Sequence, residues 1–341
     1  MTQVKIFLFL LCLTAVGLLF VIFNLKLKVP SWKSSILLSV TTVPSTHPII
    51  VIPTNSTPTK KLRLCSCENC LTEDQRLLKH RLDTFVQPLL SRNYSLSSDD
   101  HKWWTQLQGK KSNFNDYQTA VQSLFQLFPP VPDVAEPKSD KCRSCAVVGN
   151  SPRLLGANYG QIIDSKDVVI RINKGPVEGF GKDVGTKTTH RAMYPVSAVN
   201  LDNSTHLLFF AFKLSDLQWL MEALTTGYKG KSPVLSKMNA NKNLVMVVNP
   251  AFMKYVHKWL GRSQKGNYPS TGMLTVFLAL FICDEVHVFG FGADKRGHWN
   301  HYWEKPQQNL TDVKGNHPRS TEYSILKQLD KDRRIKFYEG G

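Results

Sequence analysis

The sequence predicts an α/β fold, a parallel sheet covered by helices on both faces. Two observations predict it. Short, continuously apolar runs rich in β-branched residues recur after position 140, and helical patterns alternate with them. A Pro-rich stretch at 129–138 separates this alternation from a different N-terminal third. The chain has 341 residues, 42% apolar and 20% charged, so whole-chain disorder and collagen-like repeats are excluded. Its net charge of +17 points to an anionic partner: nucleic acid, a membrane face or an acidic substrate.

Residues 6–23 form an unbroken uncharged run, I-F-L-F-L-L-C-L-T-A-V-G-L-L-F-V-I-F. As a helix it would rise about 27 Å, enough for a thin bilayer. A cleaved signal peptide is the competing reading, but the run is long and no small-x-small site follows closely. The expected order is a cytosolic tail (1–5), a transmembrane signal anchor (6–25) and a luminal stem (26–64) rich in Ser, Thr and Pro. Lysines on both flanks leave orientation to the sequons. Asn55, Asn93, Asn203 and Asn309 each open an Asn-x-Ser/Thr, and all lie beyond the anchor, which favours a type II protein with a luminal body.

Cys65, Cys67 and Cys70 are spaced C-x-C-x-x-C, and Cys142 and Cys145 C-x-x-C; Cys283 stands apart. In a reducing compartment this spacing suggests zinc; in an oxidising lumen an even six suggests three disulfides, whose pairing spacing alone does not choose.

Helical spacing of apolar residues marks 76–90 and 118–128. Strands are then expected at 145–149, 167–172, 206–212, 244–248, 285–289 and 334–338. Helices are expected near 214–224, 251–260, 271–281 and 321–329. Ligands of such sheets bind beyond the carboxyl ends of the strands. Those ends are Gly149-Asn150-Ser151, Arg171-Ile172-Asn173 and Phe289-Gly290-Phe291-Gly292.

A strand running into Gly149-Asn150-Ser151-Pro152 is a plausible phosphate and ribose cradle, since backbone N–H groups, a hydroxyl and an amide converge there. The same residues also read as an ordinary turn and helix cap. Gly179-Phe180-Gly181-Lys182 fits neither a Walker loop nor a dinucleotide fingerprint, and no hydrolase elbow or H-E-x-x-H is present. His298, His301 and His317 cluster near the C-terminus. Histidine suits acid–base work near neutral pH, although surface loops carry such residues too.

Together these pieces resemble the animal sialyltransferase family over residues 64–341. The large sialyl motif is similar to 145–194, with the core Cys-Ala-Val-Val-Gly-Asn-Ser. The small motif is similar to Tyr268-Pro-Ser-Thr-Gly through Gly292. His301-Tyr-Trp-Glu resembles the third motif and His317-x-x-x-x-Glu322 the very small one. The resemblance is closest to β-galactoside α-2,3-sialyltransferases that act on Galβ1,3GalNAc, the core 1 O-glycan disaccharide. Cys65-Ser-Cys-Glu-Asn-Cys70, Trp103-Trp104, Pro250-Ala251-Phe252 and Gly290-Phe-Gly-Ala-Asp294 carry it.

The resemblance implies a Rossmann-like single domain (65–341), a variant of the GT-A type, in the Golgi membrane. It implies CMP-sialic acid as donor, galactose-terminated glycans of glycoproteins or glycolipids as acceptors, inversion, and no cofactor or metal. Asn150, Ser151 and Asn173 would contact the donor's phosphate and ribose, with Ser270, Thr271 and Gly272 on the cytidine side. His317 would be the base and His301 would support the departing phosphate. Gln108 and Tyr268 would hold the acceptor, and a further acceptor-site tyrosine of the family corresponds to Tyr228 or is absent. The implied disulfides are Cys65–Cys70, Cys67–Cys142 and Cys145–Cys283. Pro318 follows His317 where relatives carry Asp. A sialyltransferase of other linkage, or a weakly active glycan-binding member, is the alternative reading; a homodimer is one assembly the sequence leaves open.

The charge then has a different meaning. Seven basic residues and no acid lie in 1–64, and eight more (Lys229, Lys231, Lys237, Lys242, Lys254, Lys258, Arg262, Lys265) fill an acid-free stretch before Tyr268. The expected partner is an anionic donor rather than nucleic acid, with this stretch steering it.

Overall fold

The structure, a computed structural model, describes residues 67, 71, 86–110, 112–132, 134, 140–230, 233–261, 268–305 and 317–341. The expected tail, anchor and stem, the Cys65–Cys70 pairing and the sequons at Asn55 and Asn309 lie outside the described residues. Among the described residues, no helix is long and apolar enough to cross a membrane.

Two helices come first, α1 (Ser98–Gln106) and α2 (Phe114–Leu127). The alternation then begins with β1 (Ser144–Val148), α3 (Gly160–Asp164), β2 (Val168–Ile172), α4 (Gly181–Val184) and β3 (His190–Met193). It continues through β4 (His206–Phe209), α5 (Leu214–Ala223), β5 (Val245–Val247), α6 (Pro250–Trp259) and α7 (Thr271–Ile282). It closes with β6 (Glu285–Phe289), α8 (Arg319–Lys331) and β7 (Lys336–Tyr338). These strands form one parallel sheet in the order β5-β4-β3-β2-β1-β6-β7.

Side chains alternate across the sheet as the period of two requires. Cys145 and Val147 of β1 enter the larger core, with Ile170, Leu208 and α7. Ala146 and Val148 face the smaller one, with Val169, Phe289, Leu154 and Ile163. Both faces are covered, which is why the strands read as continuous apolar runs. Helix α7 is apolar on nearly every side because it packs on β1, β2, β3 and β6 in the larger core.

The order also fixes where a ligand belongs. From β1 the chain winds outward to β5, then returns to lay β6 on the other side of β1. The reversal opens a crevice at the carboxyl ends of β1 and β6, where parallel α/β sheets bind their ligands. Gly149 ends β1 and Gly290 ends β6, and the two backbones touch: a Cβ on Gly149 would lie 2.3 Å from the Gly290 carbonyl oxygen. Gly290 itself has φ +72, the region glycine adopts without strain.

Two disulfides staple the described unit. Cys145–Cys283 joins β1 to the end of α7, and Cys67–Cys142 ties the preceding segment to the sheet. Both match the pairings implied by the family resemblance. Cys67, Cys142 and Glu285 cluster closely enough to hold a metal, but the two sulfurs are bonded to each other.

One expectation needs correction, and two elements were not expected. The helix read at 76–90 does not extend through 86–90. There the chain is extended and lies against the sheet edge: Leu89 bridges Val248 antiparallel, Leu90 N–H donates to the Val247 carbonyl at 2.8 Å, and Asn249 N–H donates to Pro88. Pro88 explains the outcome, since it lacks a donor and restricts Gln87 to extended backbone; residues 76–85 lie outside the described residues. Strand β3 was not anticipated, because His190 and Arg191 begin it. Its position between β2 and β4 half-buries them, with Arg191 donating to the carbonyls of Asn173 and Gly175. Helix α1 was also missed. It begins at Ser97, whose hydroxyl accepts from Asp100 N–H at 3.0 Å, and its acids Asp99 and Asp100 suit the first turn.

Candidate active site

A cleft of about 360 Å³ opens at the switch point between β1 and β6. Its walls include Asn150, Ser151 and Asn173 from the ends of β1 and β2, and Ser270, Thr271 and Gly272 from the start of α7. They also include His301 and His317 from the loops before and at α8. All eight residues assigned to donor and catalysis by resemblance therefore meet in one cavity.

Each is held by local chemistry. Ser151 N–H donates to the Gly290 carbonyl at 2.9 Å, locking the β1 loop to the β6 loop. Asn150 Nδ2 donates to the Ile172 carbonyl at 3.1 Å, and its own carbonyl accepts from Tyr302 N–H at 3.0 Å. The Tyr302 hydroxyl donates to the Pro176 carbonyl. Burial pushes that phenol up to about 12, so it stays a donor. Asn173 is left-handed at φ +55, a conformation asparagine tolerates, and its Oδ1 is buried with no partner among the described residues. An orphaned amide oxygen in the cleft wall is a group awaiting a ligand donor.

Ser270 caps α7: its hydroxyl accepts from Met273 N–H at 3.1 Å. The helix's first N–H groups, which have no intrahelical partners, thus start at the cleft. Glu322 of α8 clamps the cap. It accepts from Ser270 N–H and from Ser270 Oγ–H, both at 2.7 Å. Gly272 leaves room for an aromatic wall, since a Cβ there would stand 2.8 Å from the Phe291 ring.

His317 is oriented by Tyr268. Its Nδ1 lies 2.9 Å from the Tyr268 carbonyl, and the two rings meet edge to face at 4.8 Å. A carbonyl only accepts, so Nδ1 carries the proton and Nε2 is the bare acceptor. Burial holds the imidazole below its ordinary pKa; the Tyr268 bond opposes this and the Arg319 charge adds to it. The neutral, Nε2-basic form is the one a general base needs. His301 stacks on Trp303 at 4.7 Å, with Nδ1 2.8 Å from Glu304 Oε2.

Gln108 and Tyr268 are brought together beside the cleft. Gln108 Nε2 reaches the Tyr268 hydroxyl at 3.5 Å, and its Oε1 accepts from Lys213 Nζ at 3.0 Å. Lys213 is in turn held by buried Asp216 at 2.7 Å. Tyr228 does not line the cleft; its N–H donates to the Ser236 carbonyl in a separate loop. Phe291, in the strand end expected to bind ligand, lines it; Tyr194, Trp299, Asn300 and Arg319 also line it and were not singled out from sequence. Tyr194 carried a signal as the last residue of the large-motif segment, and Arg319 as a position inside the very small one. The sequence contains one Asp-x-Asp, Asp330-Lys331-Asp332, but it ends α8. There Asp330 accepts from Phe337 N–H and Asp332 from Gln328. The exposed sequon residues Asn93 and Asn203 both sit on turns.

The fold and cleft are those of a glycosyltransferase. The model for glycosyltransferase family 29 (sialyltransferase) matches residues 89–334, and the chain belongs to that family. It is 41% identical over 291 residues to the chicken (Gallus gallus) CMP-N-acetylneuraminate-beta-galactosamide-alpha-2,3-sialyltransferase 1, covering 82% of this chain and 83% of the relative. It is 40% identical to the mouse (Mus musculus) alpha-2,3-sialyltransferase 2, covering 82% and 81%. A crystal structure of a mammalian sialyltransferase superposes with a TM-score of 0.71 at 40% identity, covering 81% of this chain and 99% of that one. A second, in complex with Gal-beta-1-3GalNAc-ortho-nitrophenol, gives 0.68 at 38% identity, covering 81% and 100%.

Proposed function

We propose that this chain transfers sialic acid from CMP-sialic acid to the 3-hydroxyl of terminal galactose in Galβ1,3GalNAc, with inversion and without a metal. The observation that carries the reading is the single cleft joining Asn150, Ser151, Asn173, the capped start of α7, His301 and His317. Asn173 Oδ1 accepts a ribose hydroxyl. The Asn150 and Ser151 side chains face the phosphate, and the α7 terminus receives the cytidine side. His317 Nε2 takes the proton of the galactose 3-hydroxyl as its oxygen bonds to the anomeric carbon. The bond from that carbon to the phosphate oxygen breaks on the opposite side, and CMP leaves beside His301. Attack and departure on opposite faces give inversion.

The donor set suits a metal-free route. CMP carries one phosphate, and neutral amides, a hydroxyl, a helix terminus and imidazoles stabilise it where charge develops. Glu322, the one carboxylate in the cleft wall among the described residues, is engaged by Ser270. Gln108 and Tyr268 hold the acceptor sugars. We further propose the GT-A-variant assignment, a type II Golgi membrane placement through 6–25, glycosylation at the four sequons, and the Cys65–Cys70 bond.

The test is transfer by the full-length chain, supplied with CMP-sialic acid and Galβ1,3GalNAc, N-acetyllactosamine or lactose, with and without chelator. α-2,3-linked product on Galβ1,3GalNAc, undiminished by chelator, is expected. No transfer to any galactoside overturns the reading, and loss with chelator overturns the metal-free route.

A further inference from the structure

The donor proposed above carries two negative charges, its phosphodiester and the carboxylate on the sialyl reacting carbon. Among the described residues lining the cleft, Arg319 is the one permanently cationic side chain. The described lysines of the basic stretch before Tyr268 do not line it, and Lys254 is engaged with Asp99 and Asp100.

Arg319 links the two histidine-bearing walls. Its backbone N–H donates to the His317 carbonyl at 2.9 Å, and its guanidinium rests 5.7 Å from the ring centroid of Trp299, two residues before His301. Among the described residues the guanidinium meets no carboxylate and donates no hydrogen bond; the Trp299 face is its contact. A cation held on an aromatic face, with its N–H donors unspent, is ready for a planar anion.

We propose that Arg319 binds the carboxylate of the sialyl group and so selects a carboxylated sugar donor. The inference rests on the donor assigned under the proposed function. The carboxylate and the leaving phosphate share one carbon, which the hydroxyl deprotonated by His317 must attack. A group two residues from His317 is placed for the anion on that carbon, while Asn150, Ser151 and His301 serve the phosphate. A guanidinium presents paired parallel N–H donors that match a carboxylate. The carboxylate keeps its charge throughout the reaction, so the contact strengthens donor binding more than it speeds turnover.

The test uses full-length, detergent-solubilised chain and its Arg319→Gln and Arg319→Lys variants. Affinities for CMP-sialic acid and for CMP are read by ligand-induced thermal shift without acceptor, so the result does not depend on turnover. Transfer by the wild type, measured separately, reports on the proposed function. Arg319→Gln should weaken CMP-sialic acid binding roughly tenfold or more, the range for a hydrogen bond between charged groups. CMP binding should stay within about twofold, which also certifies an intact fold. Arg319→Lys should recover part of the loss. Unchanged CMP-sialic acid affinity overturns the proposal. Equal weakening for CMP and CMP-sialic acid also overturns it, because Arg319 would then serve the phosphate.

Discussion

The Nδ1 of His317 lies 2.9 Å from the carbonyl oxygen of Tyr268, and that contact decides which nitrogen of the ring is basic. Replacing His317 by Ala should lower kcat by about 10²–10⁴, the usual worth of a general base, while CMP still binds. The pH profile carries a sign. Burial, reinforced by the Arg319 charge, holds the imidazole below its ordinary pKa. The base is lost on protonation, so kcat/KM should fall with acidity only below the ordinary histidine value of about 6.5. Arg319→Gln removes a nearby positive charge and should move that acid limb to higher pH. Substantial residual kcat in His317→Ala would remove His317 as the base.

Glu322 holds Ser270 by two hydrogen bonds, both at 2.7 Å, and Ser270 caps α7. Glu322→Ala leaves those donors without their acceptor and should cost about 1–3 kcal/mol in chemical denaturation. It should also weaken CMP binding. Unchanged CMP affinity in a folded Glu322→Ala protein would show that the α7 start does not depend on the clamp.

Gly149 stands where a Cβ would meet the Gly290 carbonyl at 2.3 Å and the Phe291 ring at 3.0 Å. The Gly290 oxygen and carbon, at 2.3 and 3.0 Å, are backbone and cannot swing aside. Gly149→Ala should destabilise by about 3 kcal/mol through overpacking. The drop in Tm should come with weakened CMP binding, because the β1 and β6 loops must part to admit the methyl.

Lys213 spans Gln108 Oε1 at 3.0 Å and Asp216 Oδ1 at 2.7 Å. It thereby fixes which end of the Gln108 amide faces the Tyr268 hydroxyl. Burial raises the Asp216 carboxyl above its ordinary pKa and the lysine acts against that shift. Lys213→Met should raise the acceptor KM roughly tenfold through the lost charge-assisted bond. Donor affinity should not change. A donor effect equal to the acceptor effect would indicate a general structural loss instead.

Much of this protein is legible along the chain, and the exceptions have causes. Continuous apolar runs locate β1, β2, β4 and β6 because burial on both faces leaves no polar alternation to misread. β3 escapes because His190 and Arg191 read as surface, and only the flanking strands β2 and β4 bring them, half-buried, into the sheet. The misread at 86–90 comes from weighing apolar spacing above Pro88. Helix α1 did leave a mark, the Ser97-x-x-Asp100 cap, in a segment too polar to show a face. In the cleft, Asn150, Ser151, Asn173, Ser270 and the histidines follow from contiguous motifs. Trp299 does not, because it lies between motifs, while Tyr194 and Arg319 fall inside motif spans at positions that only the fold shows to face the cleft.

The bond between Glu322 and Ser270 has a consequence in time as well as in space. The two residues are 52 positions apart, and Glu322 lies in α8, the last helix among the described residues. Domains form as the ribosome delivers them, N-terminal parts first. The sheet through β6 can assemble while α8 is still unmade, with Ser270 present but unclamped. The α7 end of the cleft is therefore finished only after α8 has been translated. A chain interrupted before Glu322 retains most of its core and lacks the clamp on Ser270 at the cleft.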